Sequence, residues 1–161
     1  MPISKEDFRA ALGRFASGIT VVTSIDAENR FHGMTVSAFC SVSLDPPLVL
    51  VCISKDTGSH ESIARNKQFA VNVLSEGQAE LSERFSAPIE DRFSSTEYRT
   101  GASGLPLLNG ALANLECRLA HSYEGGDHTV YIGEVENVVV TDGNPLLHFR
   151  GDYQGVGEPT P

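Results

Sequence analysis

Apolar and polar positions change period several times along the chain, and each change predicts a new element. Phe8, Leu12 and Phe15 recur at helical spacing behind Ser4, which reads as an N-cap with Asp7 three positions on. They predict an opening helix with one apolar face, weakened but not ended by Gly13. From Gly18 the pattern turns to a β-type run over residues 19–25, and residues 26–30 supply turn formers before Phe31 resumes it. This predicts a hairpin. Its second limb, residues 31–39, holds Gly33 and small hydroxyl residues where a core strand takes large side chains. A glycine inside a strand marks close approach by another backbone or a ligand.

Asp45-Pro46-Pro47 closes that region, and residues 48–53 are all apolar, which predicts a strand buried on both faces. Ser59 is placed to cap a short helix through Ile63 and Ala64, and residues 69–74 read as another strand. Ser75 with Gln78 has the form of a capping box opening a helix that ends near Phe85, with Leu81 and Phe85 inward. Residues 86–106 carry Pro88, Gly101, Gly104 and Pro106 and no period; an irregular stretch of that length points to function or a partner contact. The clearest alternation runs over residues 111–123. Ala111, Ala113, Leu115, Cys117 and Leu119 point one way, and Asn114, Glu116 and Arg118 the other, toward solvent. Turns at Gly125-Gly126 and at residues 142–145 then separate two further strands, residues 129–140 and 146–149.

The pattern therefore predicts a mainly β chain of about seven strands with inserted helices. A nearly closed antiparallel barrel satisfies it, because closure removes exposed edges. One domain over residues 1–153 and a flexible tail over 154–161 complete the organisation. The 161 residues, 40% apolar, suffice for one core and exclude a multidomain machine. Twelve Lys and Arg against 21 Asp and Glu leave a net charge of -9 and no basic stretch, which argues against nucleic acid as a partner. No apolar run approaches the roughly 18 residues of a membrane helix. The amino-terminal residues lack the layout of a signal peptide, and three scattered cysteines make no disulfide framework, so a soluble protein of the reducing cytoplasm is expected.

The candidate chemistry is sparse. Neither a G-x-G-x-x-G nor a P-loop motif is present, so any nucleotide must be held otherwise. The five histidines do not pair with Cys or carboxylate at ligand spacing, and no metal site is expected. A Ser nucleophile has no elbow motif to support it. Three local features remain. His32-Gly33-Met34-Thr35-Val36-Ser37-Ala38-Phe39 suits either a Thr-rich barrel strand or a seat for a planar polar ring. Residues 54–59 after the apolar strand, with Lys55, suit either plain helix capping or an anionic group. Gly125-Gly126-Asp127-His128 sets an imidazole at a strand start, either as a surface hairpin residue or as a titratable group beside a site.

In this order the segments resemble the short-chain flavin reductases, the split-barrel NAD(P)H:flavin oxidoreductases that serve two-component monooxygenases. The resemblance rests on Phe15-Ala16-Ser17-Gly18-Ile19-Thr20-Val21-Val22-Thr23, on Gly33-Met34-Thr35-Val36-Ser37-Ala38-Phe39 running into Ser41-Val42-Ser43-Leu44-Asp45-Pro46-Pro47, on Phe69-Ala70-Val71-Asn72-Val73-Leu74, and on Gly126-Asp127-His128 leading to Gly133-Glu134-Val135. It spans about residues 8–153 and implies a split β-barrel that works as a homodimer, with FMN or FAD at the subunit interface. Carried onto this chain, it places Thr35, Val36, Ser37 and Ala38 against the flavin ring, with Cys52 and Ile53 lining it. It places Ser54, Ser59, Arg84 and Phe85, and also Ser41, near the ribityl phosphate. It gives His128 a role at the nicotinamide of NADH or NADPH, with Tyr153 closing that side. Ala38 stands where a second serine is frequent, and residues 55–58 lack an arginine often found there, which leaves FMN against FAD open. The implied reaction is hydride transfer to flavin, with reduced flavin passed to a partner monooxygenase. The alternatives are a tightly flavin-bound electron carrier and a non-catalytic flavin-binding protein, with an activity like that of pyridoxamine-phosphate oxidase more distant.

Overall fold

The computed structural model describes residues 2–157, so residues 158–161 of the expected tail lie outside the described residues, and Gln154 still belongs to the last strand. In chain order the elements are α1 (Lys5–Leu12), β1 (Ser17–Gly18), β2 (Thr20–Ile25), β3 (Phe31–Val36), β4 (Phe39–Leu44), β5 (Pro47–Ser54) and α2 (Gly58–Asn66). There follow β6 (Gln68–Val73), α3 (Ala79–Ser86), β7 (Tyr98–Thr100), β8 (Pro106–Leu108), β9 (Ala113–Gly125), β10 (His128–Val140), β11 (Leu147–Phe149) and β12 (Asp152–Gln154).

Seven strands form one antiparallel sheet in the order β3-β2-β6-β9-β10-β5-β4. Its two outer strands, β3 and β4, are consecutive in sequence, and β3 also touches β5 across the gap. The sheet thus curls until its edges face each other without pairing, and Ser37-Ala38 bridges the open seam. This is the split barrel that the alternating pattern and the resemblance imply. Its interior is filled by the inward residues of the strands, among them Val22, Val49, Val51, Ile53, Phe69, Val71 and Tyr131, with Ile63 of α2 plugging one end. Another cluster, of Ile19, Val21, Leu74, Phe85, Leu108 and Leu146, joins α3 to the outside of the barrel. Gly33 is required there, since a Cβ on it would sit 2.5 Å from the Phe85 ring. The close approach at this glycine is made by an aromatic side chain, not by the backbone or ligand expected there.

Several local expectations change. The opening helix is capped by Ser4, whose Oγ accepts from the Asp7 N–H at 3.0 Å, but it ends at Leu12 with Gly13 as C-cap, so Gly13 does terminate it. The cap of α2 is Thr57, while Ser59 lies buried inside the helix, because Thr57 is the last extended residue before the turn. Gln78 reaches back to the Ser75 N–H at 3.0 Å, half of a capping box, and α3 begins one residue later without a side-chain cap. Strand β5 is not buried on both faces. Val49, Val51 and Ile53 are inside, whereas Leu48, Leu50 and Cys52 are half-exposed on an apolar outer face that the chain leaves open.

The polar face of β9 is solvated at Arg118 but not at its start. Asn114 and Glu116 are buried because residues 101–108 fold over them. Glu116 accepts from the N–H groups of Ala102 and Ser103 and from the Ser103 hydroxyl. Asn114 donates to Asn72 Oδ1 at 2.8 Å. The irregular stretch after α3 is therefore built into the fold. Arg84 donates to Ser95 O, Arg92 to Gly33 O and Ala87 O, and Phe93 packs edge-on to Phe85.

Candidate functional site

The outer face of β5, the seam and α1 enclose a cavity of about 1320 Å³. That exceeds the roughly 300–1,000 Å³ usual for a small-ligand pocket. One wall is the seam, Ser37 and Ala38 with Phe39 and Cys40, followed by Leu50 of β5. Ser37 O accepts from Phe39 N and Ala38 O from Cys52 N, which fixes the linker against β5. The Ser37 and Ala38 N–H groups find no acceptor among the described residues and remain donors at the cavity edge. Another wall is the turn between β9 and β10, with Gly125, Asp127 and His128. The third is α1 and the turn between β11 and β12, with Phe8, Leu12, Phe15, His148 and Arg150.

His128 opens β10 opposite Ser54 of β5 and Gly125 of β9, so two strand pairings hold its backbone. Its Nδ1 lies 2.7 Å from Asp127 Oδ1. The hydrogen bond from His128 holds the Asp127 carboxyl below its ordinary range. An ionised carboxylate only accepts, so Nδ1 carries the proton of that bond and Nε2 is the free ring nitrogen. Lys55 is tied to Glu124 by an ion pair and to Asp127 O through its N–H at 3.1 Å. It braces the turn and is not a free cation for an anionic ligand.

The expected site residues fall into two groups. Ser37, Ala38 and His128 line the cavity, and Cys52 and Ser41 lie on the strands beside it, Cys52 half-buried and Ser41 exposed. Burial, with Cys40 nearby, raises the Cys52 thiol. The others are engaged elsewhere. Val36 and Ile53 point into the barrel core, and Phe85 packs in the cluster under α3, so their side chains do not line the cavity. Thr35 donates its hydroxyl to Ser82 O at 2.6 Å, and Tyr153 donates to Ser82 Oγ at 2.9 Å, its ring 6.1 Å from that of His148. Ser54 O accepts from Thr57 Oγ1 at 2.8 Å, Ser59 is buried in α2, and Arg84 clamps Ser95 and Thr96.

Sequence reasoning did not single out the cations. Lys5, Arg9, Arg14 and Arg150 all line the cavity, against one carboxylate, Asp127. None of the four is in an ion pair among the described residues. Their positions share no motif; the only signal was their scarcity in an acidic chain. The donor set fits a flavin: apolar walls at Ala38 and Leu50, free amides at the seam, and cations for phosphate.

Comparison with known proteins agrees with this chemistry. Residues 12–157 match the flavin reductase like domain. The chain is 43% identical over 145 residues to a probable flavin reductase of Rhizobium meliloti, covering 90% of this chain and 47% of that protein. It thus spans about half the length of that relative. It is 39% identical over 157 residues to the flavin-dependent monooxygenase reductase subunit HsaB of Mycobacterium tuberculosis, covering 96% of this chain and 83% of that protein. Among solved structures it superposes on the NADH:FAD oxidoreductase SgcE6 of Streptomyces globisporus in complex with NAD and FAD fragments, with a TM-score of 0.90 and 36% identity. That match covers 98% of this chain and 97% of the other.

Proposed function

This chain belongs to the flavin reductase like domain family, and from that premise we propose that it reduces FMN or FAD with NADH or NADPH and releases the reduced flavin to a partner monooxygenase component. The observation that carries this reading is the cavity at the seam, where free amides, apolar walls and one oriented imidazole meet. A bound flavin would supply the hydride acceptor and a bound nicotinamide the hydride, so the electronics of the step would belong to the cofactors.

The chain's own residues then bind and align. The Ser37 and Ala38 amides and the Ala38 methyl hold the ring system, while Leu50 and Cys52 of β5 form its apolar floor. Thr35 and Val36 support the seam from behind, Thr35 by its bond to Ser82. Ser41 of β4 and Ser54 of β5 offer hydroxyls on the strands beside the seam for a ribityl phosphate, and Ser59, Arg84 and Phe85 hold the surrounding backbone. His128, fixed through Nδ1 by Asp127, presents Nε2 to the nicotinamide as an orienting group, and Tyr153 steadies His148 at the far rim. Alignment at near-attack distance supplies most of the acceleration, which is why no paired carboxylates or nucleophile are needed.

The chain works as a homodimer in this reading. Phe8, Leu12 and Phe15 are 52%, 58% and 78% exposed in the single chain, an apolar patch of α1 and the turn after it that another copy would cover at the edge of the cavity. No helix among the described residues is long and apolar enough to cross a membrane, and the three free thiols suit a reducing cytoplasm.

One assay tests the function. Purified protein with added flavin and NADH or NADPH should oxidise the nicotinamide over many turnovers. A single stoichiometric reduction would identify an electron carrier, and no reduction a binding protein. His128→Ala should slow reduction or raise the nicotinamide KM; an unchanged rate and unchanged nicotinamide dependence would remove His128 from the mechanism.

A further inference from the structure

Two of the side chains that the resemblance places at the ligand, Thr35 and Tyr153, do not line the cavity, yet both end on one residue. Thr35 of β3 donates its hydroxyl to Ser82 O at 2.6 Å, and Tyr153 of β12 donates to Ser82 Oγ at 2.9 Å. Ser82 is fully buried and stands one turn before Phe85 on the inner face of α3. Phe85 and the residues that cluster with it, among them Leu74, Leu108 and Leu146, are apolar. A serine in such a place lowers helix propensity and hides a hydroxyl from water, and an alanine facing a phenylalanine would leave no polar group to satisfy. Folding alone does not call for the hydroxyl pair. What the pair adds is direction, since a hydrogen bond fixes a distance and an angle where apolar packing does not.

The two bonds reach opposite walls of the cavity. Thr35 lies just before the seam, and the carbonyl of Val36 beside it accepts from Thr20 Oγ1 at 2.7 Å, so the backbone is fixed up to Ser37. Tyr153 pairs with His148 across β11 and β12, and its ring lies 6.1 Å from the imidazole of His148, which lines the far wall with Arg150 and Gly151. Among the described residues, Tyr153 makes the only side-chain hydrogen bond from residues 147–154 to the rest of the chain. Backbone pairing to β1 and the Arg150 N–H on Gly13 O are the other polar ties of that wall. We propose that Ser82 is a positioning residue that clasps the seam wall to the β11–β12 wall, one oxygen to each, and so sets the gap in which flavin and nicotinamide meet. The inference deepens the flavin reductase reading, which supplies the two rings, and adds a residue that touches neither. Hydride transfer is sensitive to such a gap, because a misplacement of about 1 Å between reacting groups costs on the order of a hundredfold in rate.

Links in series fail together, which separates a clasp from two unrelated contacts. In stopped flow at saturating flavin and nicotinamide, below the melting temperature of every variant, Thr35→Val and Tyr153→Phe should each slow flavin reduction about fivefold, the effect of one hydrogen bond. Half-saturating concentrations should stay within about twofold, because the loss is of alignment and not of binding. Ser82→Ala should match Tyr153→Phe, since it keeps the carbonyl that Thr35 uses. The double variant Thr35→Val, Tyr153→Phe should be no slower than the slower single variant, whereas the two losses in melting temperature should add. Rate losses that multiply, or a rate unchanged in either single variant, would overturn the clasp. Hydrogen exchange of the chain without ligand reads the same clasp apart from turnover. Residues 147–154 should exchange about fivefold faster in Ser82→Ala and in Tyr153→Phe, with residues 128–135 unchanged. Exchange there within about twofold of the wild type would overturn the assignment too. A wild-type chain that oxidised no nicotinamide would remove the flavin reductase reading, and hydrogen exchange would then decide by itself whether Ser82 joins the two walls.

Discussion

The two flanks of the barrel are treated in opposite ways by the same chain. On one flank, residues 86–108 fold over the polar face of β9 and satisfy it: Asn72, Asn114 and Glu116 are buried and each is hydrogen-bonded. On the other, α1 contributes no buried residue, the outer face of β5 is half-open, and four cations stand unpaired around a large cavity. The flank that is polar in sequence is structural, and the flank that is apolar in sequence is the one the proposed function assigns to a ligand or another copy of the chain. Apolar residues left uncovered and charges left unpaired cost free energy, whereas a closed polar network does not. In the proposed function the flank that carries the cost is the one that binds.

The largest effect should come from breaking the closed flank. Asn72 is fully buried, donates to Val21 O and Thr23 Oγ1, and accepts from the Leu108 N–H and from Asn114. Asn72→Ala strands several of these groups and should cost about 3 kcal/mol of unfolding free energy, read by denaturant titration. A loss under about 1 kcal/mol would mean that residues 101–108 are not locked to the barrel.

The converse holds on the open flank. Ala38→Trp puts bulk at an exposed seam, so stability should stay within about 0.5 kcal/mol while flavin affinity falls at least about tenfold in a fluorescence titration. Destabilisation without lost affinity would reverse the assignment of the two flanks.

Two carboxylate–histidine pairs sharpen the contrast. Asp26 accepts from the Glu28 and Arg30 N–H groups, the Arg30 side chain and His32, and its side chain is 12% exposed; His32 above all holds its carboxyl well below the ordinary 3.8. A folded-state value below the unfolded one stabilises the protein fully above about pH 3.8, and that contribution is lost as the pH falls through the folded value. The gap in melting temperature between wild type and Asp26→Asn should therefore be full at neutral pH and narrow in acid below that point. Asp127 has the same sense of shift, but its side chain is 93% exposed, so Asp127→Asn should leave stability almost unchanged and lower turnover by releasing the ring of His128. Equal stability losses in the two variants would contradict the division between flanks.

The smallest effect is one of rate. Cys40 is exposed at the cavity, burial raises the Cys52 thiol, and burial pushes Cys117 up to about 12. A thiol reagent at about pH 8 should label Cys40 first, Cys52 slowly, and Cys117 only on unfolding, with added flavin slowing Cys40. Labelling of Cys117 in the folded protein would show that the barrel opens.

Much of the fold was legible because its signals are local. The hairpin of β2 and β3, the long pair β9 and β10 and the Ser4 cap follow from period and turn residues a few positions apart. At the site, Ser37, Ala38 and His128 were legible only as a set in a recognisable order; singly, each also fitted an ordinary strand or hairpin. The cations were not legible, because Arg9 and Arg150 meet only through the contact between Gly13 and the β11–β12 turn. Nor was the burial of Glu116, since alternation assigns a polar residue to the outer face without saying what covers that face.

The amino-acid sequence by itself determined the strands, their alternation and the chemistry each could present, because those depend on neighbours along the chain and on steric preferences of single residues. Only the tertiary structure decided which outer faces are covered and which are left open, and where unlinked charges gather. That choice rests on contacts between segments more than a hundred residues apart, such as Gly13 with Arg150, whose free energy has no local signature.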